Sequence, residues 1–239
     1  MPEEMTFFEH LLELRKRLLT VVLSVIIFSV CGYVYSENII SLLLDASNTS
    51  VAEFQVLYIT SMFMTKINIA FLTGIIFSFP IILYQILAFT KPAFQDELQF
   101  IKILLFLFVS IFLFIVGMFF GYYVLIPLSV NFFNNISLDL NGVIALNYTL
   151  ENYLIYLSWI LIISSIIYQV PILLVILLKI NILDINILKN KRPYVIIVFF
   201  ILAALLTPPD PFSQLLVALP MIILYEITIF IVYFLFRKR

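Results

Sequence analysis

His10, Glu13 and Arg17 stand three and four residues apart, the spacing that brings side chains onto one face of a helix. A carboxylate in such a stripe accepts forked, charge-assisted hydrogen bonds from a guanidinium. That guanidinium is either its own Arg17 at i,i+4, on a solvated face, or one that arrives from another chain. A second pair of acids, Asp96 and Glu97, follows Pro92. They either offer further acceptors or cap the helix after them, where negative charge is stabilised in any case. Gln85, Gln169 and Glu226 lie inside apolar runs. Ionisable and polar groups are costly there and invite a functional reading; the plainer one is helix-to-helix hydrogen bonding, worth about 1 kcal/mol each. With one His and one Cys (Cys31) in the chain, a histidine or cysteine metal centre, a disulfide framework and a paired-thiol redox site are all excluded. An intramembrane Ser–His hydrolase is excluded too, because the single His precedes the first apolar run. Neither cofactor nor enzyme activity is expected.

The elements that position these groups must be membrane helices. Hydrophobic residues make up 64% of the 239 and charged residues 11%, against about 25% charged in soluble domains. A soluble core of this size cannot bury that much apolar surface. A net charge of -1 and the lack of a large basic patch exclude nucleic-acid binding. The whole of 1–239 reads as one polytopic, all-α membrane domain. Charges and prolines divide it into six spans, at about 18–35, 67–89, 103–126 (ending before Pro127), 153–178, 194–206 and 212–236. The fifth is short for a crossing that takes about 20 residues, so the bilayer is expected to be thinned there or the helix to extend past its boundaries. Both termini inside puts 12 of the 13 Lys and Arg on the inner side, with only Lys66 outside, in accord with the positive-inside rule. The outer segments 36–66 and 127–152 are too apolar for free loops and are expected to form short interfacial helices. Residues 1–17, opened by a Thr6-to-Glu9 capping box, read as an amphipathic helix on the inner membrane surface, not as a signal peptide. Pro171 and Pro220 lie within spans and are expected to kink them.

The stretch His10-Leu11-Leu12-Glu13-Leu14-Arg15-Lys16-Arg17-Leu18 resembles the N-terminal signature of the TatC family, the core receptors of twin-arginine protein translocation. Phe79-Pro80 to Gln85 with Phe89 and Pro92, Lys191-Arg192-Pro193-Tyr194, and Thr207-Pro208-Pro209-Asp210-Pro211-Phe212-Ser213-Gln214 followed by Pro220 and Glu226 resemble later family motifs, in order, over essentially the whole chain. The resemblance implies a concave, glove-like bundle that binds signal peptides carrying two consecutive arginines and passes folded proteins across the membrane on the proton-motive force. It implies a signal-binding set of Glu13, Arg15, Arg17, Phe89 and a loop acid. The family usually places that acid six residues after the loop proline; here Glu97 stands five after Pro92, with Asp96 as its competitor. Many members carry Glu where this chain has Gln169, and a neutral amide has no proton to relay. Leu205, Asp210 and Gln214, around a hairpin stiffened by Pro208 and Pro209, match the region that docks single-helix partners of the TatA and TatB type; the plainer reading of Asp210 is a cap on the last span. Pro80 and Pro171 match structural positions. Homo- and hetero-oligomers are implied.

The competing reading is a small-solute or ion secondary transporter, for which Gln169, Pro171 and Glu226 would form a polar midplane site. A solute carrier has no need of paired acids outside the bilayer, whereas a twin-arginine receptor does. Rich Ile, Phe and Asn usage with five Gly points to an AT-rich genome. The mitochondrial inner membrane is favoured, then the bacterial plasma membrane, then the thylakoid.

Overall fold

The computed structural model describes residues 7–46, 54–90, 100–139, 149–180, 182–207 and 210–236. Thr6, Asp96, Glu97, Pro208 and Pro209 lie outside the described residues. Among the described residues, five helices are long and apolar enough to cross a bilayer, and a shorter apolar one is Arg192–Leu206. The described residues therefore form a helical membrane bundle.

The first helix, α1, runs unbroken over Phe7–Val34. The inner amphipathic segment is thus not a separate surface helix. The sequence from Phe7 to Cys31 contains neither Gly nor Pro, so nothing ends the helix at the membrane boundary. Its apolar stripe is the exposed one, with Leu11, Leu14 and Leu18 all outward. The polar stripe of His10, Glu13 and Arg17 is the half-buried side.

After the short α2 (Ser36–Asp45) comes α3 (Ser61–Thr90), which carries Pro80 without a break. Lys66 Nζ donates to Glu37 Oε1 at 2.7 Å, tying α2 to α3 on the outer side. Lys66 also holds the Glu37 carboxyl below the usual carboxylate range, by its hydrogen bond and then by its charge. The next helix, α4 (Phe100–Phe120), does not stop before Pro127. It passes through one π turn, Gly121–Leu125, and continues as α5 (Ile126–Asp139). Pro127 has no N–H, and its ring crowds the carbonyl four residues back. The Ile126 N–H reaches back five residues to the Gly121 carbonyl; this wider winding loosens the ladder there and lets the helix run on.

The fourth crossing is split into α6 (Leu150–Ile167) and α7 (Val170–Lys179). The break falls at Tyr168 and Gln169, just before Pro171, where Gln169 N–H bonds the Ile166 carbonyl at 2.9 Å, one residue tighter than an α turn. Then follow α8 (Ile185–Asn190), α9 (Arg192–Leu206) and α10 (Pro211–Phe236), the last running through Pro220. The central helix α3 packs on α1, α6 and α4; α6 packs on α4, and α10 on α9, α7 and α8. Lipid supplies no hydrophobic drive between helices, so close approach of small residues matters. Gly117 and Gly121 provide it between α4 and α6, where a Cβ at Gly117 would lie 2.9 Å from the Ser164 carbonyl oxygen.

Gln169 closes the same interface. Its Nε2 donates to the Ser110 carbonyl at 3.1 Å, and its Oε1 accepts from the Ser110 hydroxyl. Ser110 is fully buried. Gln169→Leu leaves that hydroxyl without its partner and is expected to cost about 1–2 kcal/mol. A fall of a few degrees in the thermal midpoint of the detergent-solubilised protein checks this, and Ser110→Ala in the Gln169→Leu background should add little.

Candidate functional site

The inner ends of α1 and α3 meet around one carboxylate. Glu13 Oε1 accepts from Arg17 Nε at 2.9 Å and also from Arg17 Nη2. Arg17 Nη1 donates to Gln85 Oε1 at 3.1 Å, and Nη2 to the Ala88 carbonyl at 3.3 Å. The guanidinium thus uses one fork to grip Glu13 and its remaining donors to reach α3. Both side chains are about three-quarters covered, 22% exposed for Glu13 and 23% for Arg17. The His10 ring stacks on the Phe89 ring, centroids 4.4 Å apart and 21° from parallel. Its Nδ1 stands 3.7 Å from Glu13 Oε2. That oxygen is buried and has no hydrogen-bond partner among the described residues. A buried carboxylate oxygen without a donor is an expensive feature, and a docked guanidinium would satisfy it.

Of the residues expected to bind a signal, the structure brings Glu13, Arg17 and Phe89 together, with His10 between Glu13 and Phe89. Arg15 is exposed on the flank of α1, outside this cluster. Asp96 and Glu97 lie outside the described residues. Gln85, grouped by sequence with the intramembrane polar residues, belongs to this site as the α3 anchor of Arg17. His10 was visible only as a member of the stripe. That it covers the carboxylate depends on Phe89, 79 positions on in the chain, and no local pattern signals such a pairing.

The other polar groups are engaged elsewhere. Glu226 Oε2 pairs with Arg192 Nη2 at 3.2 Å. Because α9 has 15 residues and α10 has 26, the inner end of α9 meets α10 well before α10 ends. Nearby, Tyr225 donates to the Leu188 carbonyl at 2.8 Å, and Lys189 Nζ lies 3.6 Å from the centre of the Tyr233 ring. At the outer end, Gln214 Nε2 donates to the Phe200 carbonyl at 2.9 Å, binding α10 to α9. Leu205 is 78% exposed, open to contact from lipid or a partner helix.

Asp210 caps α10, its Oδ2 accepting from the Ser213 N–H at 2.7 Å. Hydrogen bonds from the Ser213 side chain and then its backbone hold the Asp210 carboxyl below its ordinary value. A depressed carboxyl contributes stability that is complete above the unfolded-state value of about 3.9, and this is lost as pH falls through the folded-state value. Acidification from pH 6 to pH 3 should therefore loosen the start of α10. Asp210→Asn, which caps without titrating, should lose that part of the acid sensitivity, seen as a smaller pH-dependent drop in thermal midpoint.

Known proteins resemble this chain over nearly its whole length. The family model described as Sec-independent protein translocase protein (TatC) matches residues 9–220. The chain is 34% identical over 237 residues to the Sec-independent protein translocase protein TatCy of Bacillus subtilis (strain 168), covering 98% of this chain and 91% of that protein. It is 35% identical over 228 residues to the Sec-independent protein translocase protein TatC of Escherichia coli (strain K12), covering 92% and 85%. It is also 34% identical over 225 residues to the tatC-like protein ymf16 of Reclinomonas americana, covering 92% and 85%. A crystal structure of the twin-arginine translocase receptor TatC in DDM superposes with a TM-score of 0.79 at 28% identity, covering 93% of this chain and 99% of that one.

Proposed function

The chain belongs to the TatC family of Sec-independent protein translocase proteins, and on that premise we propose that it is the receptor and core subunit of a twin-arginine translocase. It is a multi-pass membrane protein of a translocase family, not of an enzyme family. Signal peptides with two consecutive arginines bind at its inner face. Partners of the TatA and TatB type, each with one membrane helix, assemble with it on the α9–α10 side around Leu205, Asp210 and Gln214, and folded proteins pass through the assembly on the proton-motive force. Residue usage favours the mitochondrial inner membrane over the bacterial plasma membrane; the likeness to ymf16 fits the first, and the equal likeness to bacterial relatives fits the second.

The observation that carries the receptor reading is the half-satisfied carboxylate of Glu13. Arg17 and Gln85 hold it rigid from one side, so the ordering cost of binding is already met. Its second oxygen is the acceptor for an incoming guanidinium. Arg17 is in this reading a positioning residue, and Asp96 or Glu97 takes the second arginine. The carrier alternative loses its midplane site, because Gln169 is engaged with Ser110 and Glu226 with Arg192.

The test is crosslinking of a twin-arginine signal peptide to the membrane-embedded protein, against a Lys-Lys version, for wild type, Glu13→Gln, Asp96→Ala and Glu97→Ala. Arg-Arg preference that is lost in Glu13→Gln and in one loop variant supports the proposal. Crosslinking indifferent to both arginines and to all three acids rejects it.

A further inference from the structure

His10 occupies the place that an incoming arginine needs. The unbonded Oε2 of Glu13 faces the His10 Nδ1 at 3.7 Å, too far for a hydrogen bond but near enough to cover it. The imidazole lies flat on Phe89 at 4.4 Å. A guanidinium is likewise flat, and it hydrogen-bonds a carboxylate in its own plane and stacks on an aromatic face. The two requirements meet at one spot, Oε2 on one side and the Phe89 face on the other, and His10 fills it. His10 is half-exposed, its side chain 42% accessible, which leaves it a side open for outward rotation. Arg17 cannot move as easily, since it is tied to Glu13, Gln85 and Ala88 together.

We propose that His10 is a displaceable cover over the receptor carboxylate, and that the first arginine of the signal replaces it, bonding Glu13 Oε2 and stacking on Phe89. This rests on the receptor reading above and adds a specificity step to it. A lysine ammonium is a point charge without a planar face; it reaches Oε2 but gains less on Phe89, so it displaces the stacked imidazole poorly. The cover thus sharpens discrimination between arginine and lysine at the cost of affinity. It also shields the carboxylate from casual cations when no signal is present.

The chain has one histidine, so its ring protons report the cover directly. The full-length protein, purified on a tag without histidine and held in lipid nanodiscs, is labelled at histidine and titrated with synthetic Arg-Arg and Lys-Lys signal peptides. Stacking on Phe89 shifts the His10 ring signals upfield. Saturating Arg-Arg peptide is expected to return them towards the free imidazole position, and equal Lys-Lys peptide to leave them largely in place. His10→Ala is expected to bind the Arg-Arg peptide about three- to tenfold more tightly, with a smaller Arg-over-Lys ratio. Phe89→Leu, which keeps apolar bulk, is expected to lose that ratio as well. Binding that needs Glu13 but leaves the His10 signals unmoved, or that weakens in His10→Ala, overturns the cover and leaves the receptor reading intact. Binding unchanged in Glu13→Gln overturns the receptor reading, and the cover with it.

Discussion

Glu13→Gln is expected to weaken binding of a twin-arginine signal peptide by about 30- to 150-fold, or about 2–3 kcal/mol. The variant keeps the size of the side chain and one acceptor, so Arg17 retains its bonds to Gln85 and the Ala88 carbonyl, and the helices stay docked. What is lost is the charge that pairs with the incoming guanidinium, in a site three-quarters covered. Losing one partner of a fully buried charge pair costs about 2–5 kcal/mol; the residual exposure of Glu13 places this case at the lower end. Binding to the nanodisc-embedded protein measures the effect, and a thermal midpoint lowered only modestly, by loss of the Arg17 ion pair, shows that the protein stays folded and that the binding loss arises at the site. Glu13→Asp, one methylene shorter, should fall between the two. A Glu13→Gln protein that binds like wild type rejects the carboxylate as receptor.

The second large effect lies far from any charge. A Cβ at Gly74 would stand 2.7 Å from the Val25 carbonyl oxygen and would collide with the Ser29 hydroxyl. Ser29 can rotate, but a helix carbonyl cannot, so α1 must move off α3. Gly32 makes the reciprocal approach, where a Cβ would meet Thr73 Cγ2 at 2.9 Å. Overpacking a tight contact costs about 1–3 kcal/mol and more when backbone is hit. For Gly74→Leu we expect about 3 kcal/mol or above, a drop of roughly 6–12 °C in thermal midpoint for a chain of this size. Signal binding falls with it, because Gln85 and Phe89 sit three to four turns further along the same helix face contacts that Gly74 sets. Gly74→Ala should already show part of the loss. A Gly74→Leu protein with wild-type stability would show that α1 is held by something other than this close approach.

Both effects bear on how much was legible beforehand. The Glu13 stripe was visible because i,i+3 and i,i+4 spacing is local. What it packs against was not: its partners Gln85 and Phe89 come from α3, and the Leu11, Leu14 and Leu18 stripe is left exposed. The π turn before Pro127 was hidden for a similar reason. A proline states that a ladder bond is missing, but the neighbours decide whether the helix ends or rewinds around it. The three intramembrane polar residues, alike in sequence, separated into three roles: Gln85 at the α1 site, Gln169 on Ser110, Glu226 on Arg192.

Membrane residence, the helical class of the fold and the family were therefore written in the sequence. Hydropathy and charge act residue by residue against lipid and water, so order along the chain suffices to read them. The company each polar group keeps was decided only by the tertiary structure. Arg17 and Gln85 are 68 positions apart and Ser110 and Gln169 59, and close packing at a few glycines, not any local pattern, sets which of them touch.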